Sequence, residues 1–256
     1  MQRTIATMLG LIMATLSLSC VAQEEEEEVP ERYIYASYFQ CPGGPLARAD
    51  EIIAEDVGRM DQFVEDGTIL GWGWLSHHTG GPWQRIFYHQ AGSIDALLDG
   101  SDAIQDTGDD DDDDESDDAL TFGQVCNKHD DYIWQAKAGS LATGAERGSA
   151  GFSVYHICDI DREERADEIV NEHVAPILNQ FVEDGKLTSW GWSSHVVGGE
   201  YRRLQTMTAA DHKALMAARG DAIEAIYGED NEAGAELSEI CGPHVDYMWN
   251  IVHETP

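Results

Sequence analysis

Two short stretches of the chain gather indole, imidazole and guanidinium groups at matched spacing. The first holds Trp72-Gly73-Trp74, His77, Gly80-Gly81 and Arg85. The second holds Trp190-Gly191-Trp192, His195, Gly198-Gly199 and Arg203. Tryptophan offers a stacking surface, and arginine offers a rigid fork of donors. Trp72, Trp74, Arg85, Trp190, Trp192 and Arg203 are therefore the candidate ligand-binding set, suited to a planar aromatic or anionic molecule. His77 and His195 are the candidate acid–base groups, because imidazole titrates near neutrality. The competing reading is core filling, with each arginine snorkelling to a rim and each histidine structural. A guanidinium beside an interior needs an acidic ligand or an internal carboxylate. Asp131 and Asp246 are the internal candidates.

Both stretches read as β-hairpins closed by the Gly-Gly pair. With a two-residue turn, Ser76 faces Arg85 and Trp74 faces Phe87. Alternation then puts Trp72, Trp74, Ser76, Trp83, Arg85 and Phe87 on one face. Gly71, Gly73, Leu75, His77, Ile86 and Tyr88 share the other. The second hairpin sets Trp190, Trp192, Ser194, Tyr201 and Arg203 against Gly191, Ser193, His195 and Leu204. Alternation does not say which face lines an interior.

The hairpins belong to a longer internal repeat. Ala49-Asp50-Glu51-Ile52 recurs as Ala166-Asp167-Glu168-Ile169, and Gln62-Phe63-Val64-Glu65-Asp66-Gly67 recurs from Gln180 to Gly185. Cys126-x-x-His129-x-Asp131-Tyr132-x-Trp134 matches Cys241-x-x-His244-x-Asp246-Tyr247-x-Trp249. The copies are expected at 33–138 and 151–256, joined by a Gly/Ala/Ser/Thr-rich linker over 139–150. Each reads β-α-β-β-α-β. Strand Tyr33 to Gln40 is followed by a helix from Asp50 to Glu65 with Ile53, Val57, Met60 and Val64 at helical spacing. Gly67 stops that helix. Strands Leu70 to His78 and Trp83 to Gln90 form the hairpin. Ser93 caps a short helix through Leu98, and Asp131 to Ala136 is the last strand.

This order is the split βαβ, ferredoxin-like unit, which leaves one sheet face uncovered. A linked second copy supplies the cover. The chain thus resembles the dimeric α+β barrel superfamily as a tandem single-chain repeat. That group includes antibiotic-biosynthesis-type monooxygenases, EthD-like and NIPSNAP-like families, stress-responsive barrel proteins and chlorite dismutase-like haem enzymes. The resemblance covers nearly all of 33–256 at the level of topology and carries over no catalytic residue. It implies an α+β fold of two ferredoxin-like units packed as a pseudo-twofold barrel, expected as a monomer with an internal pseudo-dimer.

Four cysteines fall at matched positions. Cys41 and Cys158 each precede the Ala-Asp-Glu-Ile motif by eight residues, and Cys126 and Cys241 open the late motif. In the ferredoxin-like sheet the end of the first strand lies beside the start of the last. Cys41–Cys126 and Cys158–Cys241 bridges are therefore expected. The rival is a metal site in which Cys126 and His129, or Cys241 and His244, join the remaining cysteine of the copy. In an oxidising compartment the bridges win, and no metal is expected. His129 and His244 read as turn-capping residues. His173 lies on the second long helix where the first copy has Asp56, the one feature bearing on haem. No CxxCH attachment exists, and no cofactor is expected. Nucleophile elbows, phosphate loops and dinucleotide fingerprints are absent.

The 256 residues carry 15 Lys+Arg against 49 Asp+Glu, a formal charge of −34. That field repels phosphate backbones, so nucleic acid is excluded as a partner. Residues 1–22 read as a signal peptide, with Arg3 before an apolar run from Ile5 to Leu18. Cleavage after Ala22 and lipoprotein-type processing at Cys20 both fit. No stretch is long enough for a transmembrane helix. Residues 23–32 form an acidic linker, and the acidic loop at 106–118 cannot build a core. The expectation is an exported protein, periplasmic, secreted or lipid-anchored, that binds a small aromatic or anionic molecule. The alternatives are a cofactor-independent monooxygenase or isomerase, and a structural module without a ligand.

Overall fold

A computed structural model describes residues 31–106, 120–140 and 147–255. The expected signal peptide, nearly all of the acidic linker, residues 107–118 of the acidic loop and 141–146 of the second linker lie outside them. The first copy contains β1 (Tyr33–Gln40), α1 (Leu46–Glu65), β2 (Gly71–Thr79), β3 (Arg85–Ala91), α2 (Ile94–Gln105), α3 (Phe122–Val125) and β4 (Lys128–Ser140). The second contains β5 (Ala150–His156), α4 (Glu163–Ile169), α5 (Ala175–Glu183), β6 (Ser189–Val197), β7 (Arg203–Ala209), α6 (His212–Tyr227), α7 (Glu232–Cys241) and β8 (His244–Glu254). Each copy adds a helix before its last strand to the expected six elements. The second helix also outruns its expected end at Leu98. Gly100 does not stop it, because that glycine is where α2 presses against Ile69.

The eight strands close in the order β1-β3-β2-β8-β5-β7-β6-β4. Within a copy the order is that of the split βαβ unit. Between copies, β2 pairs with β8 and β4 pairs with β6, both antiparallel. Closure removes every sheet edge. The α+β barrel expected from the repeat is the observed architecture.

In the hairpin strands residues on both faces are buried, one set beneath helices and one toward the lumen. Under α1, Met60, Ile69, Trp72 and Trp74 pack with Cys41 and Cys126. The equivalent layer under α4 and α5 includes Ile169, Leu178, Trp190 and Trp192. One end of the lumen is filled by Tyr38, Trp83, Tyr132, Trp134, Tyr155, Tyr247 and Trp249. Two strand-adjacent stacks dominate that plug. Tyr132 lies 4.9 Å from Trp134 and Tyr247 lies 5.0 Å from Trp249, each pair nearly coplanar.

The hairpin register has Trp74 opposite Phe87 and Ser76 opposite Arg85, as alternation requires. Its connection is longer than two residues, however, since β3 begins only at Arg85. The extra residues free Trp83 from the strand's alternation. Trp83 leaves the face of Trp72 and Trp74 and stacks on Tyr247 at the barrel end, 5.1 Å away. Tyr201 sits tilted against Tyr132, 6.1 Å away. Each Gly-Gly pair is a socket for the other copy. A Cβ on Gly80 or Gly81 would collide with the Tyr247 ring, and one on Gly198 or Gly199 with Tyr132.

Both bridges are present, Cys41–Cys126 and Cys158–Cys241. Each ties the end of the first strand of a copy to the approach to its last. They close loops spanning 85 and 83 residues, each contributing about 4–5 kcal/mol on the chain-entropy model.

Candidate functional site

The six hairpin candidates face the helices. Trp72 donates its indole N–H to Asp61 at 2.9 Å, and Trp74 donates to Asp50 at 2.9 Å. Arg85 forks onto the two oxygens of Asp50, both at 2.7 Å. In the second copy Trp190 donates to Asn179, and Trp192 donates to Asp167. Arg203, 3% exposed, binds Asp167 through Nε and Nη2 and reaches Glu163 through Nη1 at 3.0 Å. These are strand-to-helix ties in which every indole N–H has an internal acceptor. Of the six, Trp190 alone borders the lumen cavity.

The internal carboxylates are therefore Asp50 and Asp167, helped by Glu163, and not Asp131 or Asp246. Asp131 accepts from Ser37 and His129, while Asp246 accepts from Arg219. The reason is geometric. Arg85 and Arg203 point outward to the helix layer, and the late-strand aspartates do not meet them there.

His77 and His195 stand on the lumen-facing side at the aromatic end. His77 sets its edge against Tyr247 and Trp249, and His195 against Tyr132 and Trp134. Burial first, and then the charges of Arg85 and Arg202 respectively, lower both pKa values, which favours the neutral rings. Arg202 donates to Nδ1 of His195 at 2.8 Å, which leaves the ring proton on Nε2. Neither Nε2 has a partner among the described residues. His129 pairs with Asp131 at 2.9 Å, and His244 bonds the Gly242 carbonyl at 2.7 Å. His173 is exposed on a π turn (Val170–Val174) beside Glu172. Among the described residues no three His, Cys, Asp or Glu side chains converge as metal ligands.

The other end of the lumen is open, with a cavity of about 160 Å³. Apolar walls come from Ile34, Leu75, Ile86, Phe152, Met207 and Ile251. Hydroxyls of Ser153, Ser189, Thr206 and Thr208 line one side. At the mouth stand two arginines and one glutamate. Arg147 binds Glu254 Oε1 at 3.0 Å, and the Tyr88 hydroxyl donates to the same oxygen. Arg32 donates to Gln90 at 2.7 Å. Burial, then the nearby Arg147 charge, lowers the pKa of Arg32. Burial, then the Glu254 charge, pushes Tyr88 well above the usual phenol range. In a chain of charge −34, two cations facing one carboxylate among the described residues make a local positive island.

No family model and no curated protein matches the chain. Solved structures do. A proposed monooxygenase from Lactobacillus acidophilus superposes with a TM-score of 0.57 at 7% identity, over 88% of this chain and 95% of that one. An anthrone oxidase-like protein gives 0.52 at 13% identity, over 89% and 93%. A proposed chlorite dismutase gives 0.51 at 11% identity, over 87% and 95%. The chain shares its α+β barrel fold with these proteins.

Besides its lumen, this α+β barrel holds a cavity between sheet and helices in each copy. The first, about 410 Å³, includes His89, Ser101, Asp56 and Asp131 among its lining residues and has no arginine or lysine. The second, about 270 Å³, contains His156 and Arg219, the latter already paired with Asp246 and laid over Phe152. The lumen cluster escaped sequence reasoning because Arg32 and Arg147 fall in stretches that read as linkers, and Glu254 falls in the tail. Scarcity was the available signal. With so few basic residues, an arginine in a linker calls for an explanation.

Proposed function

We propose that this barrel binds a small organic anion in its lumen. The supporting observation is the Arg32, Arg147, Glu254 and Tyr88 cluster at the mouth of an apolar-walled cavity. Guanidinium groups partly withdrawn from water are strong, geometrically selective partners for carboxylates. The apolar walls suit a compact hydrocarbon or aromatic body. The ligand reading thus moves from the tryptophan face to the opposite face of the same strands. We place the protein outside the cytosol, as its paired cysteines suggest, and take it as a monomer, since one chain closes the barrel.

The test is a thermal-shift panel of small aromatic and aliphatic carboxylates on wild type and on Arg147→Met. At a hundredfold excess over Kd a ligand adds about 2.7 kcal/mol, so a clear rise in Tm is expected for wild type alone. A flat panel, or an equal rise in the variant, rejects the lumen site and favours a structural module. The enzyme alternative has one feature in its favour, the buried Glu254 carboxylate beside the cavity, a candidate base for an acidic substrate. Turnover of a bound anion under oxygen would favour that alternative over simple binding.

A further inference from the structure

We infer that the lumen recognises a monoanionic hydroxy acid, with a hydroxyl beside its carboxylate and a compact apolar body. The inference rests on the lumen-binding reading and goes further by naming the chemical class of the ligand.

Two buried atoms of one ion pair carry the argument. The Glu254 side chain is 5% exposed. Its Oε1 accepts from Arg147 and Tyr88, while its Oε2 is buried without a partner among the described residues. Nε of Arg147 is likewise buried without one. A carboxylate oxygen only accepts and a guanidinium N–H only donates. Buried polar groups are normally satisfied, so each needs a complement. A single group that completed both would donate to Glu254 and accept from Arg147. A plain carboxylate supplies the acceptor and lacks the donor.

Charge narrows the class further. Among the described residues Arg32 and Arg147 face a single carboxylate, that of Glu254, and Arg32 makes its hydrogen bond to the neutral Gln90. One positive charge is left over. A monoanion cancels it, a zwitterionic amino acid or neutral amide leaves it, and a dianion overshoots it. A hydroxy acid meets both conditions, its carboxylate toward the arginines and its hydroxyl toward Glu254. The cavity of about 160 Å³ resembles in size the cavity of roughly 150 Å³ that admits benzene. One ring or a short branched chain fits.

Mandelate and phenylacetate separate the possibilities, since they differ by one hydroxyl. Calorimetric titration of the full chain should show mandelate binding at least roughly tenfold tighter, as a site built around a hydroxyl rejects its absence. In Glu254→Gln the amide can turn its own donor inward, so the ratio should fall toward one. Equal binding of the two acids to wild type overturns the hydroxy-acid inference and leaves the anion site standing. A preference that survives unchanged in Glu254→Gln overturns it too. Binding of neither acid, with no other carboxylate perturbing the protein, removes the underlying reading as well. The wild-type comparison decides by itself if the variant does not fold.

Discussion

His156 occupies the place that Phe39 holds in the first copy, two residues before the equivalent cysteine. It is 6% exposed and hydrogen-bonds the Cys241 carbonyl through Nδ1 at 3.0 Å. Burial lowers its pKa to about 4, against a small opposing effect of that carbonyl. A base with a depressed pKa is protonated more readily when the chain is unfolded. Its contribution to stability is thus whole above pH 6.5 and is lost as pH falls toward 4. The full linkage is about 3 kcal/mol, of which roughly 2 kcal/mol is gone by pH 5. His156→Phe, which installs the first copy's residue, should flatten this acid dependence in urea melts at pH 7.5 and 5.0. His77, His89 and His195 shift the same way and keep a residual slope. Identical losses in variant and wild type would show that the His156 environment is polar enough to accept a proton. At this scale the sequence disclosed the retained Trp and Arg residues but not their direction. Alternation divides a strand into two faces, and polarity normally says which is inside. Here both faces are buried, so that signal is missing. The pairing of Arg85 with Asp50 was nearer to hand, because Asp50 and Asp167 stand in a repeated helical motif.

Elements keep these ties in register even where the copies differ in length. Ala49 and Gln62 are thirteen positions apart, whereas Ala166 and Gln180 are fourteen apart. The added residue is absorbed in the π turn Val170–Val174 between α4 and α5, just before Pro176. Proline has no N–H to give the turn before it, so a widened turn costs little there. As a result Asp167 still meets Trp192, and Asn179 still meets Trp190. The near-match in spacing was legible, but the π turn was not, because spacing alone does not say where along the helix the extra residue is taken up. The Gly-Gly connections hide a similar detail. Gly198 has φ of +142°, and a Cβ there would strike Tyr132. Gly185 has φ of +71° with open space around it. Gly185→Ala should therefore cost only about 1 kcal/mol, the ordinary left-handed penalty. Gly198→Ala carries backbone strain of about 1–3 kcal/mol and a clash across the two copies besides. Equal urea midpoints for the two variants would mean that the Tyr132 socket is soft.

At the scale of the molecule, the copies exchange their most distinctive parts. The Gly-Gly socket of the first holds Tyr247 of the second, and that of the second holds Tyr132 of the first. His77 meets Trp249, and His195 meets Trp134. The repeated Gly-Gly pairs, strand histidines and late Tyr and Trp residues are thus those a twofold interface needs twice. The barrel topology was legible for this reason: a unit with one bare sheet face, written twice, has few ways to cover itself. The lumen's open end was less legible, since its charged groups come from segments just outside the repeat motifs. The same reciprocity makes a prediction for half the molecule. A chain of residues 31–140 carries a socket, a Tyr132 plug and its own disulfide, and it exposes β2 and β4 as unpaired edges. In a twofold dimer, β2 of one protomer would take the place of β6 against β4 of the other. Size-exclusion chromatography with light scattering should give twice the monomer mass, in enough salt to screen the acidic surfaces. Gly80→Ala should break that dimer, because its methyl group would occupy the space of the partner's plug. A half that runs as a soluble monomer and melts cooperatively would show that the copies fold as independent units. The exchanged side chains would then be a consequence of tethering rather than what closes the barrel.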